Sequence, residues 1–597
     1  MRTTKVRMNA KAGEGNSNKT RGVHSVPSIR RILESVETTY AVDIATADTS
    51  SVLGQAVRYQ IDRWQRSVLF LDVLRERANN AIAHEKTSMP PPLAFDFETI
   101  LDARNFDTPA NYALLRITRC DADCAADCVD KNKSPVIIVD PRAGHGPGLG
   151  GFKRDSEVGM ALHEGHATYF VIFFPLPCPN QTLADVLHAL RRFVEEVSHR
   201  HHGKAPVLYG NCQAGWAAML LAADCEGLNG VTVLNGSPLS YWAGASDVNP
   251  MRLAGGLLGG SWVAHWLSDL GNGRFDGAWL VQNFENLNPA NTLWDKNYNV
   301  FTHIDTERER FLEFERWWTG YHFMTREEIL SIIENLFIGN KLERGAMKIS
   351  DCCYVDLKRI RNPIVIFASS GDNITPPHQA LNWIPATYPT TAALKKAGQR
   401  IVYLLNTHIG HLGIFVSASV AKLEHRAILE SLDDFDALKP GLYEMKISNP
   451  TSDPDCRKPH YTVHFEERQV EQIHYAYPER SFKKVQAISE WNEQLYKTTI
   501  SPWITAFSSP VSAEVLKRFH PMRIGTALFS EAFNPWMWPV KMFAPLIEEA
   551  RLPAEEFNQF VAMEGEGGRS VSGLLDSWRQ TRDSLNEHLF TMLYGID

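Results

Sequence analysis

The stretch from Val207 to Met219, Val-Leu-Tyr-Gly-Asn-Cys-Gln-Ala-Gly-Trp-Ala-Ala-Met, decides the fold that the sequence predicts. Its apolar start is typical of a buried strand, its Ala-rich end is typical of a helix, and small residues join the two. A sharp turn from strand to helix brings two backbones close together. Side chains larger than those of Gly210 and Gly215 would collide there. The residue at the apex, Cys212, would project near the positive end of the helix, where a thiol loses its proton more easily. Cys212 is therefore a candidate nucleophile.

Apolar runs of strand length lie on both sides of this turn. Helix-like segments such as Leu183–Arg200 separate them. Continuous apolar strands that alternate with helices are typical of a parallel sheet covered on both faces. The sequence therefore predicts an α/β fold with a mostly parallel sheet. Besides the turn itself, the strand runs are Val136–Val139, Tyr169–Phe174, Val231–Leu234, Ile364–Phe367 and Ile401–Leu405.

Changes of pattern divide the chain into four predicted regions. Residues 1–30 read as a disordered basic tail, and residues 31–105 as a helical region whose long amphipathic helix docks within the protein. Residues 106–439 form the catalytic domain, in which the alternation stops at about 240–348 and predicts a helical cap over the site. Residues 440–597 are predicted to be a mostly helical extension.

One segment of that extension, Pro535 to Leu546, concentrates aromatic residues and methionines. Such residues either fill a core or lie at a boundary between apolar and polar surroundings. Because three prolines oppose a regular amphipathic helix, we interpret the segment as core packing.

Composition excludes several classes of function. A formal net charge of -8 gives no general basis for binding nucleic acid. The sequence has no run of about 18 apolar residues, so no transmembrane helix is predicted. Nine cysteines in 597 residues do not form a disulfide scaffold, so a cytoplasmic protein is expected.

Two later strands end in residues that complete a catalytic set. Asp372 follows the strand that begins at Ile364, and His411 follows the strand that begins at Ile401. The carboxyl ends of parallel strands gather at one edge of a sheet, and the order Cys, Asp, His is the order of the α/β-hydrolase fold. His411 would take the proton of Cys212 while Asp372 fixes the imidazole. His408 is the weaker rival for the histidine role.

An acyl-transfer site also needs donors for the oxyanion. The backbone N–H of Gln213 is one candidate, and the Gly-rich loop after the first apolar strand supplies the second. This loop lacks the lysine of a phosphate-binding loop, which leaves a phosphate-cradling turn or plain flexibility as its other interpretations. The loop residues are Arg142, Ala143, Gly144, His145 and Gly146.

Cys120, Cys124 and Cys128 recur every four residues. Structural zinc sites usually pair close cysteines and add a fourth ligand, which this spacing does not provide. We predict no metal and no bound cofactor.

The catalytic motifs resemble those of the polyhydroxyalkanoate synthases and their relatives, the intracellular polyhydroxybutyrate depolymerases. The resemblance lies in Gly210-Asn-Cys212-Gln-Ala-Gly215, Ser370-Gly-Asp372-Asn-Ile-Thr-Pro and Gly410-His411, extends over about Val136–Leu432, and includes Arg63-Trp-Gln-Arg-Ser-Val-Leu-Phe. It implies an α/β-hydrolase in which Cys212 carries the acyl group, His411 is the base and Asp372 is its partner.

The resemblance also implies the substrates. The expected function is acyl transfer from 3-hydroxyacyl coenzyme A thioesters, with the thioester as substrate and a polyester granule surface or an oligomer as partner. Ala214 and Trp216 depart from the synthase pattern, and Gly410-His411-Leu-Gly-Ile-Phe-Val is closer to the depolymerases. Hydrolysis of polyesters or thioesters is therefore the alternative, and a non-catalytic granule scaffold is the second.

Overall fold

Ten strands within the described chain form the sheet that carries Cys212. The structure is a computed structural model, and it describes residues 51–119, 129–225, 227–246, 248–350, 353–448 and 461–595. The predicted tail 1–30 and the cysteines at 120, 124 and 128 lie outside these ranges.

The strands, in chain order, are β1 Asp96–Asp102, β2 Tyr112–Arg119, β3 Val136–Val139, β4 Thr168–Phe173, β5 Val207–Asn211, β6 Thr232–Asn235, β7 Arg274–Asp276, β8 Phe323–Thr325, β9 Lys348–Ser350, β10 Cys353–Tyr354, β11 Ile364–Ser369, β12 Arg400–Asn406, β13 Gly441–Ser448 and β14 Thr462–Arg468. The main sheet has the order β1-β2-β4-β3-β5-β6-β11-β12-β13-β14, while β7 pairs with β8 and β9 pairs with β10.

Strand direction separates the centre of the sheet from its edges. Neighbours from β4 through β13 run parallel, whereas β1–β2, β2–β4 and β13–β14 are antiparallel. The crossover order β4-β3-β5 and the sharp turn after β5 are those of the α/β-hydrolase fold. The predicted fold class is confirmed.

Helices cover both faces of the sheet and continue beyond it. They are α1 Val52–Lys86, α2 Glu157–His163, α3 Leu183–Arg200, α4 Ala214–Cys225, α5 Ala254–Leu257, α6 Trp262–Leu270, α7 Ala278–Leu287, α8 Lys296–Thr302, α9 Ile304–Trp318, α10 Arg326–Ile332, α11 Pro377–Leu381, α12 Trp383–Thr387, α13 Thr391–Lys396, α14 His411–Val416, α15 Ala418–Val420, α16 Arg426–Glu430, α17 Leu432–Ala437, α18 Glu479–Thr499, α19 Ser501–Phe507, α20 Pro510–Arg518, α21 Pro521–Phe529, α22 Met537–Glu549 and α23 Gln559–Tyr594.

The apolar strand sequences form two cores because side chains alternate between the faces of a sheet. In β3, Ile137 and Val139 enter the core with α3 and α4, while Val136 and Ile138 enter the core with α2 and α14. All four side chains of β3 are buried. A central strand that is apolar at every position is therefore buried on both faces.

The turn after β5 depends on close backbone approach. Cys212 has φ 48°, in the left-handed region that side chains other than glycine rarely adopt. A Cβ on Gly210 would lie 2.8 Å from the Cβ of Ala218, and a Cβ on Gly215 would lie 2.1 Å from the Oγ of Ser237. The small residues in the sequence are therefore required by contacts with the neighbouring helix and loop.

The chain between β6 and β11 carries helices α5 to α10 and the two short two-stranded sheets. Its packing partners include the C-terminal helices. Trp242 and Ile338 share an apolar cluster with Phe482 of α18 and with Phe590 and Tyr594 of α23. The extension thus forms part of the support of this segment.

The sheet extends past two of the predicted boundaries. β1 lies within 31–105, which we predicted to be helical, and β13 and β14 lie in the extension or at its start. Both edges are antiparallel and partly exposed, as shown by β14, whose side chains alternate between exposed and half-buried. Such strands lack the continuous apolar signal of the central ones.

Contacts divide the described chain into two units, 51–65 with 551–565 and 66–550 with 566–595. In the smaller unit Arg551 pairs with Asp62 at 2.7 Å, and the Asn558 side chain donates to the Gln55 carbonyl at 2.9 Å. Among the described residues, no helix has both the length and the apolarity needed to cross a bilayer.

The interpretation of Pro535 to Leu546 as core packing is wrong for most of its large side chains. Trp536 is 80% exposed and Met542 is 69% exposed, and Trp538 and Phe543 are also exposed. The prolines do not prevent a helix. Pro539 falls in the first turn of α22, where its missing N–H costs nothing, and the helix continues through Pro545 with the loss of one backbone donor. The helix buries only a narrow stripe that includes Ala544 and Ile547.

Replacing Gly215 with Ala tests the steric account of the turn. The new Cβ would overlap Ser237, so we expect the free energy of unfolding to fall by about 1–3 kcal/mol, measured by urea denaturation. Gly573→Ala is the matched control, because a Cβ there meets nothing within 4 Å and Ala favours a helix by about 1 kcal/mol. Equal stabilities of the two variants would contradict the account.

Candidate active site

Cys212, His411 and Asp372 come together at the carboxyl edge of the sheet. His411 Nε2 lies 3.2 Å from Cys212 Sγ, and His411 Nδ1 lies 2.7 Å from Asp372 Oδ2. All three side chains are buried. The structure therefore forms a Cys-His-Asp hydrogen-bonded chain at the ends of three strands. Its members are distant in sequence: Cys212 and His411 lie 199 positions apart, and Asp372 and His411 lie 39 positions apart.

Asp372 is held as an acceptor in the loop after β11. Its Oδ1 accepts the backbone N–H groups of Ile374 at 2.8 Å and Thr375 at 2.9 Å. Although burial alone would raise the pKa of Asp372, His411 and these donors keep that pKa below its ordinary value. Asp372 is thus a carboxylate, and it fixes the proton of His411 on Nδ1.

The electrostatics of His411 favour its charged form. Burial opposes a charge on the ring, but Asp372 and the Cys212 sulfur raise the pKa of His411 to about 10. An imidazole that gains a proton readily is suited to accept one from the thiol.

His408 does not join this arrangement. His408 is exposed to solvent, and its backbone N–H donates to Asn406 Oδ1 at 3.0 Å. His411 is the histidine that contacts both Asp372 and Cys212.

Backbone hydrogen bonds to the chain just before β8 hold the Gly-rich loop in place. Gly146 donates its N–H to the Gly320 carbonyl at 2.7 Å, and His322 donates to the Gly144 carbonyl at 2.9 Å. The prediction of Gly146 as an oxyanion donor is therefore corrected, because its only backbone proton is already used. Gly144 has φ 107°, and a Cβ there would lie 2.2 Å from the Gly277 carbonyl oxygen.

The Arg142 side chain also holds the loop in place. It donates to Asn111 at 2.8 Å and to the Phe323 carbonyl at 3.0 Å, and it pairs with Glu328 at 3.3 Å. Asp140, just before it, accepts the Gly148 N–H at 2.5 Å, and burial raises the pKa of Asp140 to about 8. Contacts on both sides of Ala143, at Arg142 and at Gly144, therefore hold its backbone in place.

Gln213 follows Cys212 directly. Its side-chain Oε1 accepts from Trp216 Nε1 at 3.1 Å and from the Tyr241 hydroxyl at 2.9 Å, and these two bonds hold the amide in place. Its backbone N–H lies at the start of α4, where helical N–H groups have no intrahelical acceptor. The backbone N–H of Gln213 thus adjoins Cys212 in the chain, and Ala143 lines the same cavity as Cys212.

Sequence reasoning missed a buried polar network beneath Cys212. Glu157 accepts from the side-chain amides of Asn211 at 2.5 Å and Asn235 at 3.1 Å. His425 lies 3.5 Å from Glu157 and donates Nε2–H to the Ile414 carbonyl at 2.8 Å. The network links the end of β5, the end of β6 and the helix that begins at His411. Asn at the end of two neighbouring strands was the available signal.

Two cavities lie next to the turn that carries Cys212 and Gln213. One has a volume of about 280 Å³, and Cys212, His411, His145, Leu149 and Trp318 are among its walls. The other has a volume of about 390 Å³ and a mostly apolar wall that includes Gln213 and Tyr241. Ala143, Phe284 and Ile374 line both.

Charges near the first cavity are balanced. Lys296 on its wall lies 3.4 Å from Glu285 and 3.0 Å from Glu315, and Glu315 pairs with Arg77 at 2.5 Å. Two cations thus face two anions, and this wall carries no net charge at which an anionic group would bind.

These features define the chain as a protein of the α/β-hydrolase fold with a buried cysteine at the nucleophile turn. Residues 62–597 match the model of the family described as "Protein of unknown function (DUF3141)". The chain belongs to that family. A Rhizobium meliloti protein, described as an uncharacterized protein in the ackA 5' region, is 44% identical over 558 residues, which are 92% of this chain and 75% of that protein.

Solved structures that the chain resembles include two hydrolases. A 2-hydroxy-6-oxo-6-phenylhexa-2,4-dienoate hydrolase from Rhodococcus sp. strain RHA1 is 12% identical with a TM-score of 0.31, covering 57% of this chain and 100% of that chain. A serine hydrolase from Cycloclasticus zankles is 12% identical with a TM-score of 0.32, covering 57% and 99%.

Replacing Glu157 with Gln tests the buried network through pH. Burial raises the pKa of Glu157 to about 8, so the folded protein binds a proton that the unfolded chain releases near pH 4.5. The stability that this proton contributes is complete below pH 4.5 and is lost as pH rises to about 8. The unfolding free energy of the wild type, relative to Glu157→Gln, should fall by about 1.4 kcal/mol per pH unit in that window.

The measurement is urea unfolding of both proteins at pH 5, 6.5 and 8. The exposed Glu549→Gln in α22 is the control and should give a curve parallel to that of the wild type. Parallel curves for Glu157→Gln as well would show that Glu157 is ionised in the folded protein.

Proposed function

We propose that this protein is a cysteine acyltransferase, similar to polyhydroxyalkanoate synthases, that acts on 3-hydroxyacyl coenzyme A thioesters. The observation that carries the proposal is the Cys212–His411–Asp372 chain of contacts, at 3.2 Å and 2.7 Å, beside a cavity with a mostly apolar wall. A thiol nucleophile suits this chemistry, since exchange of one thioester for another costs little free energy.

In the first step, His411 Nε2 takes the proton of Cys212, and the sulfur attacks the thioester carbonyl carbon. The backbone N–H groups of Gln213 and of the loop at Ala143 would stabilise the oxyanion. Collapse of the intermediate re-forms the carbonyl and breaks its bond to the coenzyme A sulfur, which receives the proton from His411. The product is an acyl-cysteine and free coenzyme A.

In the second step, a hydroxyl oxygen attacks the acyl-cysteine while His411 accepts its proton. The bond between the acyl carbon and Sγ breaks, an ester forms, and the thiol regains its proton. Water in place of the hydroxyl would give a free acid, which is the hydrolase alternative. Asp372 stabilises the charged imidazole in both steps.

Burial of the site supports transfer over hydrolysis. Cys212 is 4% exposed and His411 is 7% exposed, and the larger cavity has mostly apolar walls. An apolar wall binds an acyl chain and gives water few partners, so the acyl-cysteine would survive until a hydroxyl arrives.

Exposed aromatic residues and a methionine of the C-terminal extension support a partner that is itself apolar. We define the extension surface as the exposed Trp503, Phe507, Phe519, Trp536, Trp538, Met542 and Phe543. Large exposed apolar patches mark interaction sites, and tryptophans suit the boundary of an apolar phase. The proposed partner is the surface of a polyester granule in the cytoplasm.

The first experiment measures coenzyme A release from 3-hydroxybutyryl coenzyme A and sizes the product. Cys212→Ala should lower the rate by at least about 1,000-fold, because no other group takes the place of the sulfur. Cys178→Ala, at a half-buried thiol outside the site, is the control and should remain active. Polymer or oligomer would identify a transferase, and free acid a hydrolase.

Equal rates for Cys212→Ala and the wild type would overturn the mechanism. Granule binding without any cysteine-dependent release would favour the scaffold alternative.

The second experiment measures binding to poly(3-hydroxybutyrate) granules by co-sedimentation. Replacing Trp536, Trp538, Met542 and Phe543 together with Ser should weaken binding by at least about tenfold, because each removes apolar area from the contact. Leu228→Gln, at an exposed apolar residue outside the extension, is the control. Unchanged binding of the fourfold variant would contradict the assigned surface.

A further inference from the structure

His145 projects from the Gly-rich loop into the cavity that contains the nucleophile. It is 4% exposed, and with Cys212 and His411 it lines the space of about 280 Å³. His411 is close enough that its charge contributes to lowering the pKa of His145. His145 is therefore a neighbour of the reacting groups, outside the Cys-His-Asp chain.

The ring is held rigidly. Its centroid lies 4.4 Å from that of Trp317 and 5.7 Å from that of Trp318. Its backbone forms an antiparallel bridge with Tyr321. A side chain so confined presents its ring nitrogens in fixed directions.

Hydrogen bonding fixes the tautomer. Nδ1 lies 3.0 Å from the Gly146 carbonyl oxygen, which only accepts, so Nδ1 carries the proton. Burial lowers the pKa of His145 to about 4, and the ring is neutral at pH 7. Nε2 therefore presents a lone pair, and no side chain in the described part of the chain donates to it.

A ligand that brings a hydroxyl to this lone pair forms a hydrogen bond that no group in the described chain makes. Several other polar groups on the cavity wall are already engaged. His411 is bonded at both nitrogens, Lys296 lies 3.4 Å from Glu285, and Thr292 donates its hydroxyl to the Glu285 carbonyl at 2.8 Å. The free lone pair of His145 is thus a feature of the site that would recognise a hydroxyl.

We propose that His145 Nε2 accepts a hydrogen bond from the hydroxyl of the acyl group that is transferred to Cys212. His145 then acts as a specificity residue: it selects hydroxyacyl over plain acyl thioesters and takes no part in bond making. This inference rests on the proposed acyl transfer and adds the group that recognises its substrate.

The test compares kcat/KM for coenzyme A release from 3-hydroxybutyryl and butyryl coenzyme A. A site built around a hydrogen bond to a hydroxyl discriminates strongly against the analogue that lacks it. The wild type should prefer the hydroxyacyl thioester by at least about tenfold. His145→Phe keeps a flat ring against the tryptophans but has no acceptor, so the ratio of the two values should fall towards one.

His145→Gln is the rescue variant, because its amide oxygen reaches about as far as Nε2 and should restore part of the preference. A purely structural role would lower both values together and leave the ratio unchanged in His145→Phe, and that result would overturn the proposal. Equal rates with both thioesters in the wild type would also overturn it while leaving the proposed function intact. Release from neither thioester would remove the proposed function and this inference with it.

Discussion

The backbone contact between β5 and α4 is the constraint on which the site depends. Cys212 has φ 48°, a conformation that costs a residue with a side chain of order 1 kcal/mol or more and persists only where its surroundings enforce it. The enforcement comes from both sides. Gly210 and Gly215 admit the neighbouring backbone, and the hydrogen bond from the Cys212 N–H to the Asn235 carbonyl, at 2.9 Å, ties the apex to β6. The sulfur therefore points toward His411 without needing freedom of its own.

The polar network below the turn extends this rigidity to the histidine. Glu157 accepts a hydrogen bond from Asn211, which precedes the cysteine, and lies 3.5 Å from His425. His425 in turn donates to the Ile414 carbonyl in the helix that starts at His411. Cys212 and His411 thus share one buried support, although they lie 199 positions apart in sequence. Burial keeps Glu157, at the centre of this network, neutral. The network therefore carries little charge and does not disturb the electrostatics of Cys212, His411 and Asp372.

The centre of the fold could be predicted from the sequence because its signals are local. An apolar run, a small-residue turn and a carboxylate or histidine just past a strand end each occupy fewer than a dozen residues, and parallel strands bring their ends together. This reasoning separated His411 from His408 only by preference, whereas the structure separates them by contact.

The remaining features depend on contacts that no local pattern encodes. β1 and β14 become strands by pairing with the edges of an existing sheet. Gly146 loses its predicted role because Gly320, far along the chain, accepts its proton. The large side chains of α22 are exposed although their composition favours a core, because the adjoining cluster accepts only a narrow stripe of the helix.

The packing of α23 against the segment between β6 and β11 has a thermodynamic consequence. Tyr594 donates its hydroxyl to the Gly256 carbonyl at 2.8 Å, and Gly256 has no room for a Cβ beside the ring of Phe590. The neighbouring Gly255 is part of the wall of the larger cavity. Movement of that wall would therefore change the contacts of the extension, and a ligand that binds one arrangement of the extension more tightly would favour the matching shape of the cavity. The fit of α23 and the shape of the larger cavity are then two variables of one equilibrium.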